Sequence, residues 1–304
     1  MRSPIVVSVI VALGACGSDQ GLGLQNGADE WAQAPSDQVD ILFIVDDSFS
    51  MAEEQEALSL GFPSFIDEMA GTNTDFHLGV ISTSFAYDDP NRGLLIGDPP
   101  YLTKNDDYID GFIDRVKVGV DGSDKEKGLE AAEFALSSAL QQNLNSPNFG
   151  FMRNDAQLLM IVVSDEEDCS DHAALEGQPP ASCYSQIGDL WPVDEFLRTF
   201  RSMKVHDDHF RFASIVGLDN SCPNAFPGGR YMQMSGHTQG VVGNICSTDW
   251  SSIMYDVGLD ASTQRATFTL TNAAVDDDSF VITVDADGTL SEPMPETDDD
   301  IEVA

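Results

Sequence analysis

A buried-strand pattern that runs directly into a polar loop constrains the fold of this chain more than any other feature. Residues 41–45 are apolar without interruption, which is typical of a strand buried on both faces of a parallel sheet. The loop that follows carries Asp46, Ser48 and Ser50 in an Asp-x-Ser-x-Ser sequence, and a helical pattern begins at Met51. These oxygen-bearing side chains would therefore lie at the carboxyl end of a strand, where open α/β sheets bind ligands.

The chemistry of the loop favours a hard metal ion. One carboxylate and two hydroxyls in so short a stretch suit Mg²⁺, Mn²⁺ or Ca²⁺ and do not suit zinc or copper. Mg²⁺ is the expected cofactor, with Mn²⁺ or Ca²⁺ as alternatives. The same residues have a second interpretation as a helix cap, because Ser and Asp are preferred at helix N-termini.

Strands and helices alternate along the chain as far as residue 262. Such alternation predicts an α/β fold, a doubly wound and mostly parallel sheet with helices on both faces. Apolar runs predict strands at 41–45, 76–81, 158–163 and 212–218, with an edge strand at 93–96. Periodic apolar residues predict helices at 51–69, 108–116, 126–140, 193–203 and 250–257. Gly61 and Pro63 predict a break in the first of these helices.

The first strand and its Asp-x-Ser-x-Ser-Met ending closely resemble the first motif of von Willebrand factor type A domains. The resemblance covers residues 38–262 and implies the Rossmann-like sheet of that family, with its metal-ion-dependent adhesion site. It implies that Asp46, Ser48 and Ser50 hold the ion directly or through water. It also implies that the bound ion serves protein–protein interaction or adhesion.

A second acidic loop matches the same family. Asp165 follows the strand predicted at 158–163, in the position of a family carboxylate that reaches the metal, often through water. The run 164–170, Ser-Asp-Glu-Glu-Asp-Cys-Ser, resembles that of type A lipoproteins from myxobacteria, and residues 244–250 resemble the same group. The resemblance makes Asp165 a metal ligand, whereas the alternative is an acidic loop that only faces solvent.

The loop before the third helix departs from the family, in which a Thr normally supplies a ligand. Residues 118–129 contain no Thr, and two residues are candidates for its place. Ser123 would supply a hydroxyl, whereas Glu126 lies nearer the Thr position and would add negative charge to the site. Glu126 has the further interpretation of an acid in a first helical turn, where the helix dipole favours it. The sequence leaves Ser123 and Glu126 open.

The N-terminus has the pattern of an exported lipoprotein. Arg2, the apolar stretch 4–13 and the small residues before Cys16 predict a signal peptide over residues 1–15. The sequence Leu-Gly-Ala-Cys resembles the bacterial lipobox, which implies cleavage before Cys16 and a lipid on its thiol. An ordinary signal peptide is the alternative. Residues 16–37 predict a flexible tether, and the predicted location is the bacterial cell envelope, on its periplasmic or outer side.

Four further cysteines fit two disulfides in an oxidising compartment. Of the three pairings, we favour the two local ones, Cys169 with Cys183 and Cys222 with Cys246. Each would contribute about 3 kcal/mol to stability. A zinc site is the alternative, and the absence of any Cys-x-x-Cys pair argues against it.

Charge narrows the classes of partner. The net charge is −38, from 52 acidic and 14 basic residues, which excludes nucleic acid as a partner because nucleic-acid binding needs basic patches. It also opposes docking of the folded surface on anionic lipid, so the membrane is expected as a partner only through the N-terminal lipid. Residues 263–304 predict a β appendage, or strands added to the edge of the sheet, with strands at 267–271 and 279–284, followed by an acidic disordered tail.

Together these patterns predict a cell-envelope lipoprotein that binds a divalent cation and, through it, a protein of unknown identity. We predict no catalytic activity, because no nucleophile motif is present. The alternatives are a metal-dependent hydrolase, for which Asp47 and Glu167 are the nearby candidate bases, and a structural envelope protein with a vestigial site.

Overall fold

The computed structural model describes residues 38–71 and 74–262, together with the backbone of three further strands, β1 (Ile5–Val11), β2 (Ala28–Gln33) and β8 (Phe280–Asp285). The chain forms two units. The larger unit is Ser36–Gln264, and the smaller unit combines Met1–Pro35 with Arg265–Ala304.

The larger unit is built on a five-stranded, all-parallel sheet. Its strands are β3 (Gln38–Val45), β4 (Asp75–Ser82), β5 (Gln157–Ser164), β6 (Phe210–Val216) and β7 (Val242–Asn244), in the spatial order β4-β3-β5-β6-β7. The chain passes from β3 to β4 on one side and then returns to β5 on the other side. The strand order therefore reverses between β3 and β5, and such a switch point is where doubly wound sheets bind ligands. The predicted α/β fold is confirmed.

Helices cover both faces of this sheet. One face carries α1 (Ala52–Gly71), α2 (Tyr108–Val116) and α8 (Trp250–Ser262), and the other carries α3 (Gly128–Ala135), α6 (Val193–Ser202) and α7 (Gly229–Thr238). Two short helices, α4 (Ser138–Gln141) and α5 (Ser182–Ser185), lie in loops. Along β3, Ile41 and Phe43 pack in the first core and Leu42 and Ile44 in the second. The apolar run is thus buried on both faces, as its sequence predicts.

The register of the sheet aligns the carboxyl ends of neighbouring strands. Val45, the last residue of β3, pairs with Ser82 on one side and Val163 on the other. Ser164, the last residue of β5, pairs with Val216 at the end of β6. The loops that follow these strands consequently start from the same edge of the sheet.

The break predicted in the first helix is wrong. Helix α1 runs through Pro63 without interruption, although an internal proline costs roughly 3 kcal/mol. Leu58, Phe62 and Phe65 of this helix are fully buried in the core, and each such side chain gains about 2 kcal/mol from burial. Their burial outweighs the loss of one helical hydrogen bond.

The helix predicted at 126–140 is divided in two by side chains that take over its backbone groups. After α3, the amide of Asn148 donates to the carbonyl of Ala135 (3.0 Å), and the hydroxyl of Ser137 donates to that of Phe134 (2.7 Å). Before α3, the N–H of Lys127 donates to the carbonyl of Thr83 (3.1 Å). Residue 126 therefore lies in a loop beside the end of β4 and not in the helix.

The edge strand predicted at 93–96 is also wrong. Gly93 and Gly97 have positive φ angles of 65° and 108°, a conformation that glycine adopts easily and that turns the chain away from a strand. The segment still contributes to the sheet edge, because the N–H of Ile96 donates to the carbonyl of Val80 (2.9 Å).

In the smaller unit, β2, β1 and β8 form an antiparallel sheet in that order. Strand β1 lies within the predicted signal peptide, β2 within the predicted tether, and β8 at the strand predicted for 279–284. Cys16 and the strand predicted at 267–271 lie outside the described residues. Of the described helices, none has the length and apolar content needed to cross a bilayer.

Candidate metal centre

The carboxylate of Asp46 lies at the switch point, directly after β3, and is fully buried. Its Oδ1 accepts a hydrogen bond from the N–H of Ser48 (2.7 Å), and its Oδ2 accepts one from the hydroxyl of Ser164 (2.6 Å). Burial raises the pKa of Asp46 to about 6, and the charge of Asp165 adds to this shift while the serines oppose it. The hydrogen-bond donors that contact the Asp46 carboxylate among the described residues are therefore uncharged.

The two serines of the motif link Asp46 to the loop after β5. Their hydroxyl oxygens, Ser48 Oγ and Ser50 Oγ, lie 3.2 Å apart. Ser50 also forms a side-chain hydrogen bond with Asp165, which lowers the pKa of that acid. Burial dominates and raises the pKa of Asp165 to about 6. The residues 46, 48, 50 and 165 predicted from the sequence are thus brought together.

Glu126 reaches the same cluster from the loop before α3, and its side chain is only 1 % exposed. The hydroxyl of Thr83 donates a short hydrogen bond to its Oε2. Burial, followed by the charges of Asp46 and Asp47, raises the pKa of Glu126 well above its usual range.

Ser123, the other candidate ligand in the loop before α3, is engaged in a local turn. Its Oγ accepts a hydrogen bond from the N–H of Lys125 (2.9 Å), and its own N–H donates to the hydroxyl of Ser84 (2.8 Å). Of the two candidates, Glu126 interacts electrostatically with Asp46, because the charge of Asp46 raises the pKa of Glu126.

Three carboxylate oxygens around the cluster are buried without a hydrogen-bond partner: Asp165 Oδ1, Glu126 Oε1 and Glu54 Oε2. Among the described residues, no Lys, Arg or His forms an ion pair with Asp46, Asp165 or Glu126. An unsatisfied buried carboxylate is costly. This donor set, with its adjacent hydroxyls, fits a hard divalent cation.

The fit depends on the hydroxyls as well as the carboxylates. Within the described ranges, no three His, Cys, Asp or Glu side chains are grouped as a metal site by themselves. A cation at this position would draw on Ser48 and Ser50 in addition to the acids.

Several residues that support the cluster are not predicted from the sequence. Ser164 supports Asp46, Thr83 supports Glu126, and the amide of Gln55 donates to the carbonyls of Asp46 (2.9 Å) and Gly119 (2.7 Å). Ser164 is the last residue of β5 and Thr83 directly follows β4, so the rule that located Asp46 could have found them. Gln55 carries no comparable signal, because it lies inside α1.

The two candidate bases of the hydrolase alternative are both engaged by neighbours. Asp47 Oδ1 accepts a hydrogen bond from the hydroxyl of Ser84 (2.7 Å). Glu167 Oε1 accepts hydrogen bonds from the N–H groups of Asp168 (3.0 Å) and Arg230 (2.9 Å).

Both favoured disulfides are present. Cys169 is bonded to Cys183 with a Cα–Cα distance of 5.2 Å, and Cys222 is bonded to Cys246 with a distance of 6.0 Å. The first bridge lies close to the cluster, because the N–H of Cys169 donates to the carbonyl of Glu126 (2.6 Å). This hydrogen bond links the loop before α3 to the loop after β5 through a residue that the disulfide fixes.

Comparisons with known proteins give matches among solved structures at low sequence identity. No protein family matches the chain by sequence, and no curated protein matches it. Among solved structures, a von Willebrand factor type A protein from Catenulispora acidiphila is 14% identical with a TM-score of 0.44, over 85% of this chain and 46% of its own. The pilus adhesin SpaC from Lactobacillus rhamnosus GG, in an open conformation, is 12% identical with a TM-score of 0.30, over 66% and 30%. The chain thus spans less than half the length of either protein, and the fold assignment rests on the sheet topology.

Proposed function

We propose that this protein binds a divalent cation at the switch point of its sheet and uses the occupied end of the sheet to bind another protein. The observation that carries the proposal concerns the described residues: buried carboxylate oxygens without partners there, on Asp165, Glu126 and Glu54, surround a buried Asp46 that none of their Lys, Arg or His side chains pairs with. Asp46, Ser48 and Ser50 would hold the ion with Asp165, and Glu126 would complete the set.

Charge explains why an ion is needed. The charge of Asp46 raises the pKa of Glu126, the charge of Asp165 raises that of Asp46, and burial raises the pKa of all three acids, so ionising these carboxylates costs folding free energy. A divalent cation supplies the missing positive charge and lowers the pKa values of its ligands. The bound ion would fix the three loops relative to one another, which prepares the exposed rim of the site for a partner.

The site suits Mg²⁺ because its ligands are oxygens only, with Mn²⁺ and Ca²⁺ as competitors. Isothermal titration calorimetry with each ion, on protein treated with a chelator, tests the proposal. We expect one site, lost in Asp46→Ala. Asp40→Asn, measured where the variant is still folded, is the matched control, since Asp40 is equally buried on the same strand at its other end. Equal cation affinity in wild type and Asp46→Ala would refute the site.

The setting of this function is proposed to be the cell envelope, with the chain anchored by lipid on Cys16. The sequence Leu-Gly-Ala-Cys at 13–16 supports the anchor, and the two disulfides fit an oxidising compartment. We expect Cys16→Ala to leave the membrane fraction or to remain uncleaved. Incorporation of labelled fatty acid into Cys16→Ala would contradict the anchor.

A further inference from the structure

Three large aromatic side chains surround the candidate metal centre and point into solvent. Phe49 is 83 % exposed, Phe226 is 55 % exposed and Tyr184 is 38 % exposed. Contiguous exposed apolar surface on a soluble protein marks a binding site, and the rings of Tyr184 and Phe226 are in contact. These three side chains are called the aromatic rim below.

Each member of the aromatic rim is tied to the loop of Asp165. Phe49 stands between the two serines of the motif, and the second of these, Ser50, hydrogen bonds to Asp165. The N–H of Phe226 donates to the carbonyl of Asp165 (2.7 Å). The rim therefore belongs to the site, although its members come from three separate loops.

Tyr184 is held in the rim by two neighbours. Its hydroxyl donates to Glu166 Oε2 (3.3 Å), and its ring lies 5.2 Å from that of Phe226 between centroids. The residue before it, Cys183, is bonded to Cys169, so a disulfide fixes the base of the segment that presents Tyr184. This arrangement positions an exposed ring at a low entropic cost for binding.

The loops that carry the rim are strongly acidic. The segments 46–54, 121–126, 165–168 and 219–226 contain one basic residue, Lys125, and its ammonium donates to the carbonyl of Leu175 (2.8 Å). Their acids are Asp46, Asp47, Glu53, Glu54, Asp121, Asp124, Glu126, Asp165, Glu166, Glu167, Asp168 and Asp219. Of these, Asp168 forms an ion pair with Arg230 (2.9 Å), a residue just outside these segments. One divalent cation leaves this region negative, so a carboxylate from a partner would be repelled and a cationic side chain attracted.

We propose that the partner of this surface is a protein segment that carries Lys or Arg beside aliphatic or aromatic side chains. Its apolar side chains contact the aromatic rim, and its cations face the surrounding acids. Glu126 supplies the metal centre with a third carboxylate from this chain, so the ion does not need one from the partner. The inference rests on the proposed function insofar as the ion orders the loops that present the rim.

The experiment compares three short labelled peptides by fluorescence anisotropy, with the full chain in Mg²⁺ at physiological salt. The peptides alternate Lys with Leu, Lys with Ser, and Glu with Leu. We expect the Lys/Leu peptide to bind at least about tenfold more tightly than the Lys/Ser peptide of the same charge, which corresponds to burial of about one apolar side chain. Equal binding of these two peptides would show that only net charge is recognised, and preferred binding of the Glu/Leu peptide would show a carboxylate-dependent partner. Either result overturns the proposal.

Variants locate the binding surface. We expect the triple variant Phe49→Ser, Tyr184→Ser, Phe226→Ser to lose the preference for Lys/Leu. The single variant Phe49→Ser, at the most exposed of the three positions, should bind the Lys/Leu peptide several-fold more weakly than wild type. Its fold should be unaffected. The matched control replaces three exposed apolar residues elsewhere, Leu60, Leu144 and Val205, and should bind like wild type. Retained preference in Phe49→Ser and in the triple variant would overturn the proposal.

The cation is measured separately by calorimetry on the same proteins. If no cation binds while the preference for Lys/Leu remains and depends on the rim, the proposed metal function fails and the inference about the partner stands. If a cation binds and the preference is absent, the metal site stands and the inference fails.

Discussion

Each end of strand β3 carries a buried Asp, and the two carboxylates differ in the charge of the groups that contact them. Asp40 near its amino end and Asp46 just after its carboxyl end are both fully buried. Asp40 forms an ion pair with Arg153 (2.8 Å) and also accepts a hydrogen bond from the N–H of Arg153 (2.6 Å). Within the part of the chain that the structure describes, Asp46 accepts hydrogen bonds from neutral serine groups alone.

This difference separates a structural acid from a candidate ligand. Burial raises the pKa of both carboxyls, but at Asp40 the charge of Arg153 opposes the shift, whereas at Asp46 the charge of Asp165 increases it. Folding supplies the amino end of the sheet with its own counter-ion. At the carboxyl end the negative charge accumulates, which is the condition that favours an external cation.

The largest expected effect follows from replacing Asp40, the buried acid that is paired within the fold. We expect Asp40→Asn to destabilise the protein by about 3 kcal/mol, because the guanidinium of Arg153 loses its buried partner and keeps only its ion pair with the exposed Asp75 (3.2 Å). Urea unfolding followed by circular dichroism measures this change. Cation affinity, determined by calorimetry on the still-folded variant, should match wild type. A loss of cation binding here would mean that the two ends are not independent.

The same substitution at the other end should have the opposite sign. We expect Asp46→Asn to stabilise the cation-free protein by about 2 kcal/mol at pH 7, because it removes an unpaired buried charge. It should also abolish the rise in Tm that Mg²⁺ gives to wild type. If Asp46→Asn destabilises the cation-free protein as strongly as Asp40→Asn, the contrast between the ends is disproved.

The gain from Asp46→Asn should depend on pH with a defined sign. The folded pKa of about 6 lies above the ordinary value of 3.8, so the folded state binds more protons in this window and wild-type stability falls as pH rises through it. The destabilisation by Asp46 should be complete above pH 6 and vanish towards pH 4. Unfolding of both proteins across this range without metal measures the difference. A gap that is constant with pH would show that the charge of Asp46 is not its cause.

The smallest expected effect distinguishes Glu126 from Ser123 as the metal ligand in the loop before α3. We expect Glu126→Gln to weaken cation binding about tenfold, equivalent to about 1.4 kcal/mol, because it removes one anionic ligand. Ser123→Ala should change the affinity less than about twofold, since the Ser123 hydroxyl oxygen is engaged by the N–H of Lys125. Calorimetry on the two variants decides between them, and the reverse ranking would assign the ligand to Ser123.

Local patterns in the sequence locate the strand-end acids. The uninterrupted apolar runs before Asp46 and Asp165 identify buried parallel strands, and parallel strands present their carboxyl ends at one edge. The approach of these two acids therefore follows from local pattern and general sheet geometry. The disulfide pairing also follows from proximity in the sequence.

Contacts between distant segments decide the rest, because they depend on the path of the loops. Arg153 reaches Asp40 across 113 positions, and no periodicity links the two. Glu126 lies outside α3 because Lys127 donates to Thr83 and Cys169 donates to Glu126 through backbone hydrogen bonds (3.1 and 2.6 Å). The sequence by itself thus determines which residues end the strands. Only the tertiary structure decides which of the buried acids receives a counter-ion from its own chain, since that depends on which loop passes each end of the sheet.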